Sequence, residues 1–285
     1  MRNNPQVSWS GAFASDIIII RGWNMKKAIL VVSFGTTYQD TRKKNIDSLV
    51  RKISEVAEDY VLYEAYTSQT VRRKLAEEGI HKDSMEQALA RIKADGMEVI
   101  IVQPTHVIKG SEYNKIADAV REAEKSFSQI KLGKVLLDGQ SDYETVTDVL
   151  AEANHNFSED TAVLWMGHGS QHQAGEAYCM MQEIFRERGY DTFFMGTVEG
   201  VPTFEEAVDR LHREEEKRGV RFKKIALRPF MLVAGDHANR DMAGEEDSWQ
   251  TFLEAEGYQV SALCRGLGEY EGIRALYKKH LKELL

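Results

Sequence analysis

Apolar runs alternate with amphipathic stretches along most of the chain. KKAILVVSF, Lys26 to Phe34, is continuously apolar and rich in β-branched residues, as in a strand buried on both faces of a parallel sheet. The turn Gly35-Thr36-Thr37 leads into a helical pattern over roughly residues 40–58. YVLYEAYT (Tyr60–Thr67) reads as a second strand, followed by helical patterns at 71–78 and 84–95, and MEVIIVQP (Met97–Pro104) as a third. A helix over 112–127, a strand over 134–137 and a helix over 143–153 complete a first half.

The second half repeats that order. TAVLWM (Thr161–Met166) predicts a strand, Gly167-His168-Gly169-Ser170 a turn, and residues 174–188 a helix. TFFMGTVEG carries the next strand, Phe204–Lys217 the next helix, KKIALRPFMLV the third strand, and a last strand and helix follow at 258–263 and 270–284. Strands alternating with such helices imply parallel sheets with right-handed crossovers, whose ligands lie beyond the carboxyl ends of the strands. The expected architecture is therefore α/β: two similar Rossmann-like domains, residues 25–155 and 156–285, each a parallel sheet flanked by helices, with a site in the cleft between them.

Two stretches carry the duplication most clearly. In QPTHVIKGSEYNKI (Gln103–Ile116) and RPFMLVAGDHANRDM (Arg228–Met242), Pro104 and Pro229 are each followed six positions on by a glycine, Gly110 or Gly235. Two positions later comes Glu112 or His237, and two after that Asn114 or Asn239.

Composition narrows the class. With 42% hydrophobic and 29% charged residues over 285 positions, the chain is that of a water-soluble globular protein, and a net charge of −8 without a basic run argues against nucleic acid as partner. Cys179 and Cys264 are far apart and outside any CxxC, as for reduced thiols in the cytoplasm. The first 24 residues do not continue the pattern: their four-residue apolar run, Ile17–Ile20, is too short for a membrane span, and Ala12-Phe13-Ala14 precedes it, the wrong order for a signal peptide. The fold is expected to begin at Met25, taken as the natural start, with residues 1–24 an extension outside it.

The candidate chemistry shares one address. His168, Glu199 and His237 each follow a strand of the second half, so three loops can bring two imidazoles and a carboxylate to one first-row divalent ion, with a position left open for substrate. Each has a plainer use: His168 as a turn residue between glycines, His237 as a helix-start residue beside Asp236, Glu199 as a solvated carboxylate. Glu112 either faces the site from the first half or only complements a helix dipole. Phe34 and Met231 stand at strand ends where they can line an apolar slot. His106 could face the site but has Met231 as its counterpart in the repeat. His81, His155, His172, His212 and His280 read as surface residues, and Met166, Met180, Met181 and Met195 as core. No GxxxxGK[ST], GxGxxG or GxSxG is present, which weakens ATP, dinucleotide and acyl-hydrolase readings. An α/β nucleotide-binding enzyme has fold class alone in its favour.

VVSFGTTYQDT, PTHVIKGSEYNKI, WMGHGSQH, GTVEG and PFMLVAGDHANRDM, in that order, resemble the anaerobic cobalt chelatase (CbiK) family of class II tetrapyrrole chelatases, over essentially Lys26 to the C-terminus. The resemblance implies ATP-independent insertion of a divalent metal, Co2+ first with Fe2+ or Ni2+ as alternatives, into sirohydrochlorin during cobalamin synthesis, with no cofactor held beyond the substrate metal. It places the active-site histidines at His168 and His237, a further metal-binding glutamate at Glu199 and another cleft glutamate at Glu112. The site expectation is thus His168, Glu199 and His237 on the metal, with His168, His237 and Glu112 as catalytic residues. Phe34, Gly35, Thr36, Lys109 and Met231 are expected on the substrate, with Arg228 and Arg240 as further candidates for its carboxylates. Sirohydrochlorin and a divalent ion are the partners, without nucleic acid or membrane; assembly as a homo-oligomer is left open. The alternative is a carrier that binds tetrapyrrole or metal without turnover.

Overall fold

The structure, a computed structural model, describes residues 25–170 and 173–285. The reading of residues 1–24, and His172, fall outside the described residues. Two four-stranded parallel sheets form the frame. In the first, β1 (Lys27–Ser33), β2 (Tyr60–Tyr66), β3 (Val99–Pro104) and β4 (Gln129–Leu132) lie in the order β2-β1-β3-β4. In the second, β5 (Thr161–Ser170), β6 (Phe193–Gly200), β7 (Lys224–Phe230) and β8 (Gln259–Ala262) repeat it as β6-β5-β7-β8. The central strands are those with unbroken apolar runs: all six residues of β3 and the last six of β1 are buried. A strand covered by helices on both faces has no polar side to show.

The helices follow the expected alternation. They are α1 (Gln39–Arg42), α2 (Ser48–Ser54), α3 (Gln69–Glu77), α4 (Met85–Ala94), α5 (Ser111–Ala123), α6 (Gln140–Ala153), α7 (Glu176–Glu187), α8 (Phe204–Arg218), α9 (Trp249–Ala255) and α10 (Glu271–Lys282). One buried cluster joins the two sheets: Ile29 and Ile101 of the first, Trp165 and Phe230 of the second, and Tyr277 of α10 belong to it. The C-terminal helix α10 crosses back to pack on α2 and α6. Its Tyr277 hydroxyl donates to the Thr105 carbonyl at 2.8 Å, and His280 meets Asp142 at 3.0 Å.

Several local expectations are corrected. Residues 40–58 do not form one helix; a π turn, Lys43–Asp47, separates α1 from α2. There Asn45 is buried and donates through Nδ2 to the Thr41 carbonyl at 2.9 Å, competing with the regular ladder. The fourth strand is Gln129–Leu132, with residues 134–137 outside it. Leu136 and Leu137 instead donate backbone N–H to the carbonyls of His106 and Val107, both at 2.9 Å. The unanticipated α9 starts at a Ser248 cap and buries Trp249 and Leu253, one turn apart. His280 is buried, not solvated, because its partner Asp142 lies beneath the crossing helix. Met180 faces solvent, while Met166, Met181 and Met195 are in the core.

Candidate active site in the cleft between the sheets

A cleft of about 680 Å3 opens where the carboxyl ends of β1, β3, β5, β6 and β7 converge. Its second-sheet wall is set by an extension of β5. Instead of turning at Gly167, the strand runs through GHGS to Ser170, and Gly169 pairs with Glu199 on β6. Gly169 has φ +89°, and a Cβ there would lie 1.6 Å from the Glu199 carbonyl oxygen. Only glycine permits that backbone and that approach. The consequence is that His168 and Glu199 stand on adjacent strand ends, both exposed to the cleft.

His237 joins them from the loop after β7. Its ring centroid lies 4.8 Å from that of His168, with the planes at 85°. The His237 Nδ1–H donates to Asp241 Oδ2 at 2.6 Å, and the His168 Nδ1–H to the Gly169 carbonyl at 3.2 Å. In neutral imidazoles this leaves both Nε2 lone pairs free for an ion. Asp241, four residues after His237 within the π turn Ala238–Met242, orients the ring as carboxylates orient metal-binding histidines. No group of three or more His, Cys, Asp or Glu side chains closes to metal-holding distances among the described residues. The two imidazoles are adjacent, and Glu199 lines the same cleft without meeting them.

The opposite wall comes from the first sheet. Phe34, at the end of β1, is 46% exposed and lines the cleft with Gly35 and Thr36. Gly35 has φ +96°, and a Cβ there would meet the Tyr66 ring at 2.4 Å. The Tyr38 hydroxyl donates to Asp236 Oδ1 at 2.7 Å, joining the two walls at the rim. Glu112, in the first turn of α5, has its side chain 25% exposed and is paired with Lys115 at 2.5 Å. Burial works to raise its pKa, but Lys115, the nearby Thr67 hydroxyl and His106 outweigh it and hold the carboxyl below its ordinary value. The second carboxylate oxygen, Oε2, is buried and meets no hydrogen-bond partner.

His106 also lines this wall. Both ring nitrogens are sealed from solvent without partners, and burial pushes its pKa down to about 4 against a small upward pull from Glu112.

The structure brings Phe34, Gly35, Thr36, Glu112, His168, Glu199, Met231 and His237 to one cleft. Lys109 is placed elsewhere, in an ion pair with Asp138 at 2.6 Å. Arg228 is buried beneath the sheet, donating to the Leu227 carbonyl at 2.7 Å with its guanidinium over Phe157. Neither these nor Arg240 lines the cleft; among the described residues its one Lys or Arg side chain is Lys74, on α3. Sequence reasoning passed over Lys74 because no motif in α3 marks it. Asp241 was legible in principle, at helical spacing from His237.

The fold is shared with solved structures. SirB from Bacillus subtilis with Fe3+ superposes with a TM-score of 0.61 at 15% identity, covering 91% of this chain and 95% of that one. CbiX, described as the terminal enzyme for siroheme biosynthesis in denitrifying bacteria, gives a TM-score of 0.54 at 14% identity over 90% of this chain and 99% of that one. The fold is that of the class II chelatases.

Within that class the chain belongs to the cobalt chelatase (CbiK) family, which matches residues 27–285. The sirohydrochlorin cobaltochelatase of Salmonella typhimurium is 37% identical over 263 residues, 92% of this chain and 97% of that protein. Sirohydrochlorin cobaltochelatase CbiKC of Nitratidesulfovibrio vulgaris is 31% identical over 260 residues, 90% of this chain and 89% of that protein.

Proposed function

We propose that this protein inserts Co2+ into sirohydrochlorin without ATP, in the anaerobic route to cobalamin. The observation that carries the mechanism is the pair of imidazoles, 4.8 Å apart, on one wall of a cleft whose other wall holds a partly buried carboxylate. Insertion requires a place to hold the ion, a place to hold the ring, and bases for two pyrrole protons.

In this reading His168, His237 and Glu199 hold the arriving ion through neutral imidazole nitrogens and a carboxylate, an N/O set suited to Co2+, Fe2+ or Ni2+. The tetrapyrrole slides between the walls, its faces against Phe34 and Met231. Lys74 meets one of its carboxylates at the rim. Glu112 faces the ion from the far side of the ring and accepts a pyrrole proton; Lys115 keeps it ionised beforehand. Holding ring and ion in register replaces a slow bimolecular encounter by a positioned step. Among the described residues no helix is long and apolar enough to cross a membrane, and we place the reaction in the cytoplasm.

The test is incubation of the purified protein with sirohydrochlorin and Co2+, Fe2+ or Ni2+ in turn, following the absorption of the metallated ring. Many equivalents per protein, fastest with Co2+, are expected. One equivalent and then a halt would establish a carrier; faster turnover with another ion would reassign the metal.

A further inference from the structure

A count of bases in the cleft leads to the next step. Two pyrrole N–H bonds must break for each ion inserted. On the reading above, His168, His237 and Glu199 are occupied by the ion, and a lone pair given to a metal cannot take a proton at the same time. Asp236 accepts from Tyr38 at the rim. On the first-sheet wall stand Glu112, whose Oε1 is paired with Lys115 and whose Oε2 has no partner, and His106, whose ring nitrogens have none. Sealed, unpartnered polar atoms are costly, about 1–3 kcal/mol each. Here three of them, Glu112 Oε2 and both His106 ring nitrogens, occur on the same wall.

We propose that His106 is the second proton acceptor of the reaction, reached through Glu112. The first pyrrole N–H breaks with its electron pair remaining on nitrogen and passing into the new nitrogen–metal bond, while the proton goes to Glu112 Oε2. Glu112 hands that proton to a His106 ring nitrogen and, ionised again, takes the second. At the end of insertion the first wall holds both protons, one on imidazolium and one on carboxyl, and loses them to water when the product leaves.

The surroundings of His106 suit this role. Its backbone is fixed, since the carbonyl accepts from Leu136 N–H at 2.9 Å and from the Tyr277 hydroxyl at 3.1 Å, while the ring has no competing bond. Glu112 is the charged group that acts on it. Burial pushes the imidazole down to about 4, while at Glu112 burial pulls upward and Lys115, the Thr67 hydroxyl and His106 hold the carboxyl below its ordinary value. Seclusion from water keeps the imidazole empty until a proton arrives from the ring. His106 does not touch the reacting nitrogens in this scheme; it acts through Glu112.

His106→Gln, of similar size and still able to hydrogen-bond, cannot take a proton; His106→Ala opens a space that free imidazole can fill. This inference rests on the metal-ligand assignment above, so Co2+ affinity is measured in the absence of tetrapyrrole, and insertion separately in the steady state. Expected are a kcat about 100-fold lower in both variants, consistent with loss of one acid–base group. Co2+ affinity and the sirohydrochlorin KM should stay within about twofold, and added imidazole should recover the His106→Ala rate. A His106→Gln enzyme with more than half the wild-type kcat would overturn the relay. So would Co2+ affinity falling in step with rate, which would make His106 an ion ligand. If His106→Ala fails to fold, His106→Gln carries the test. Wild-type protein without turnover would instead remove the proposed function itself.

Discussion

The two sheets share one strand order and one connectivity, yet their corresponding ends carry different side chains. β1 stops at Ser33 and presents Phe34, while its counterpart β5 continues to Ser170 and presents His168. After β3 the chain carries His106 and Glu112; after β7 the equivalent stretch carries Met231 and His237. The repeat survives in the backbone: Asn114 N–H bonds the Gly110 carbonyl at 3.0 Å, and Asn239 N–H the Gly235 carbonyl at 3.2 Å. On the proposed mechanism the duplicated frame separates two jobs that interfere at one address, holding a cation and collecting protons. The second half has oriented, accessible imidazoles at His168 and His237; the first has His106, whose ring nitrogens are sealed from solvent.

Removing the second wall's imidazoles should have the largest effect. His168→Ala together with His237→Ala should lower insertion by about 1,000-fold or more, the scale of losing an essential site. Both rings face the cleft, so the melting temperature should change little; a double variant retaining a tenth of wild-type turnover would erase the division of labour. Next is Gly169→Ala, whose Cβ would fall 1.6 Å from the Glu199 carbonyl. It should destabilise the protein by about 3 kcal/mol, since both a positive-φ backbone and a strand pairing are lost. Urea unfolding measures this, and an unchanged midpoint would show that β5 and β6 can part without cost.

The first wall predicts a pH signature. His106 has a folded pKa of about 4, below the ordinary value of 6.5, so between those values the unfolded chain binds the extra proton. Stability from this group is complete above about pH 6.5 and is lost as pH falls towards 4, by at most about 3 kcal/mol. Urea titrations at several pH values should show that slope in wild-type protein and its loss in His106→Gln. A smaller change is expected from Asp241→Asn, which weakens the hold on the His237 ring: Co2+ affinity should fall about tenfold, the low end for such orienting partners. Calorimetric titration checks it, and unchanged affinity would leave Asp241 without a role in ion binding. Smallest is Lys74→Ala, expected to raise the sirohydrochlorin KM about threefold at low salt with kcat retained, the scale of an exposed charge pair. Equal KM values for the two proteins at low and high salt would remove Lys74 from substrate binding.

The sequence by itself determined the strands, their parallel pairing and the family. An unbroken apolar run such as AILVV can only be buried on both faces, and a motif series in one order over the whole length leaves little freedom. It also placed His168, Glu199 and His237 at strand ends, because in a parallel sheet the loops after the strands share one side. Tertiary structure alone decided what is near what. That β5 runs through GHGS follows from its pairing with β6, and a turn and a strand end have the same glycine signature. That Lys109 and Arg228 turn away while Lys74 faces in depends on helix packing, which sequence distance does not encode. The His106 backbone is pinned by the Tyr277 hydroxyl of α10, more than 160 residues later in the chain. Burial is a property of what packs on a residue from elsewhere in the chain, and the physical chemistry of that imidazole is set by burial.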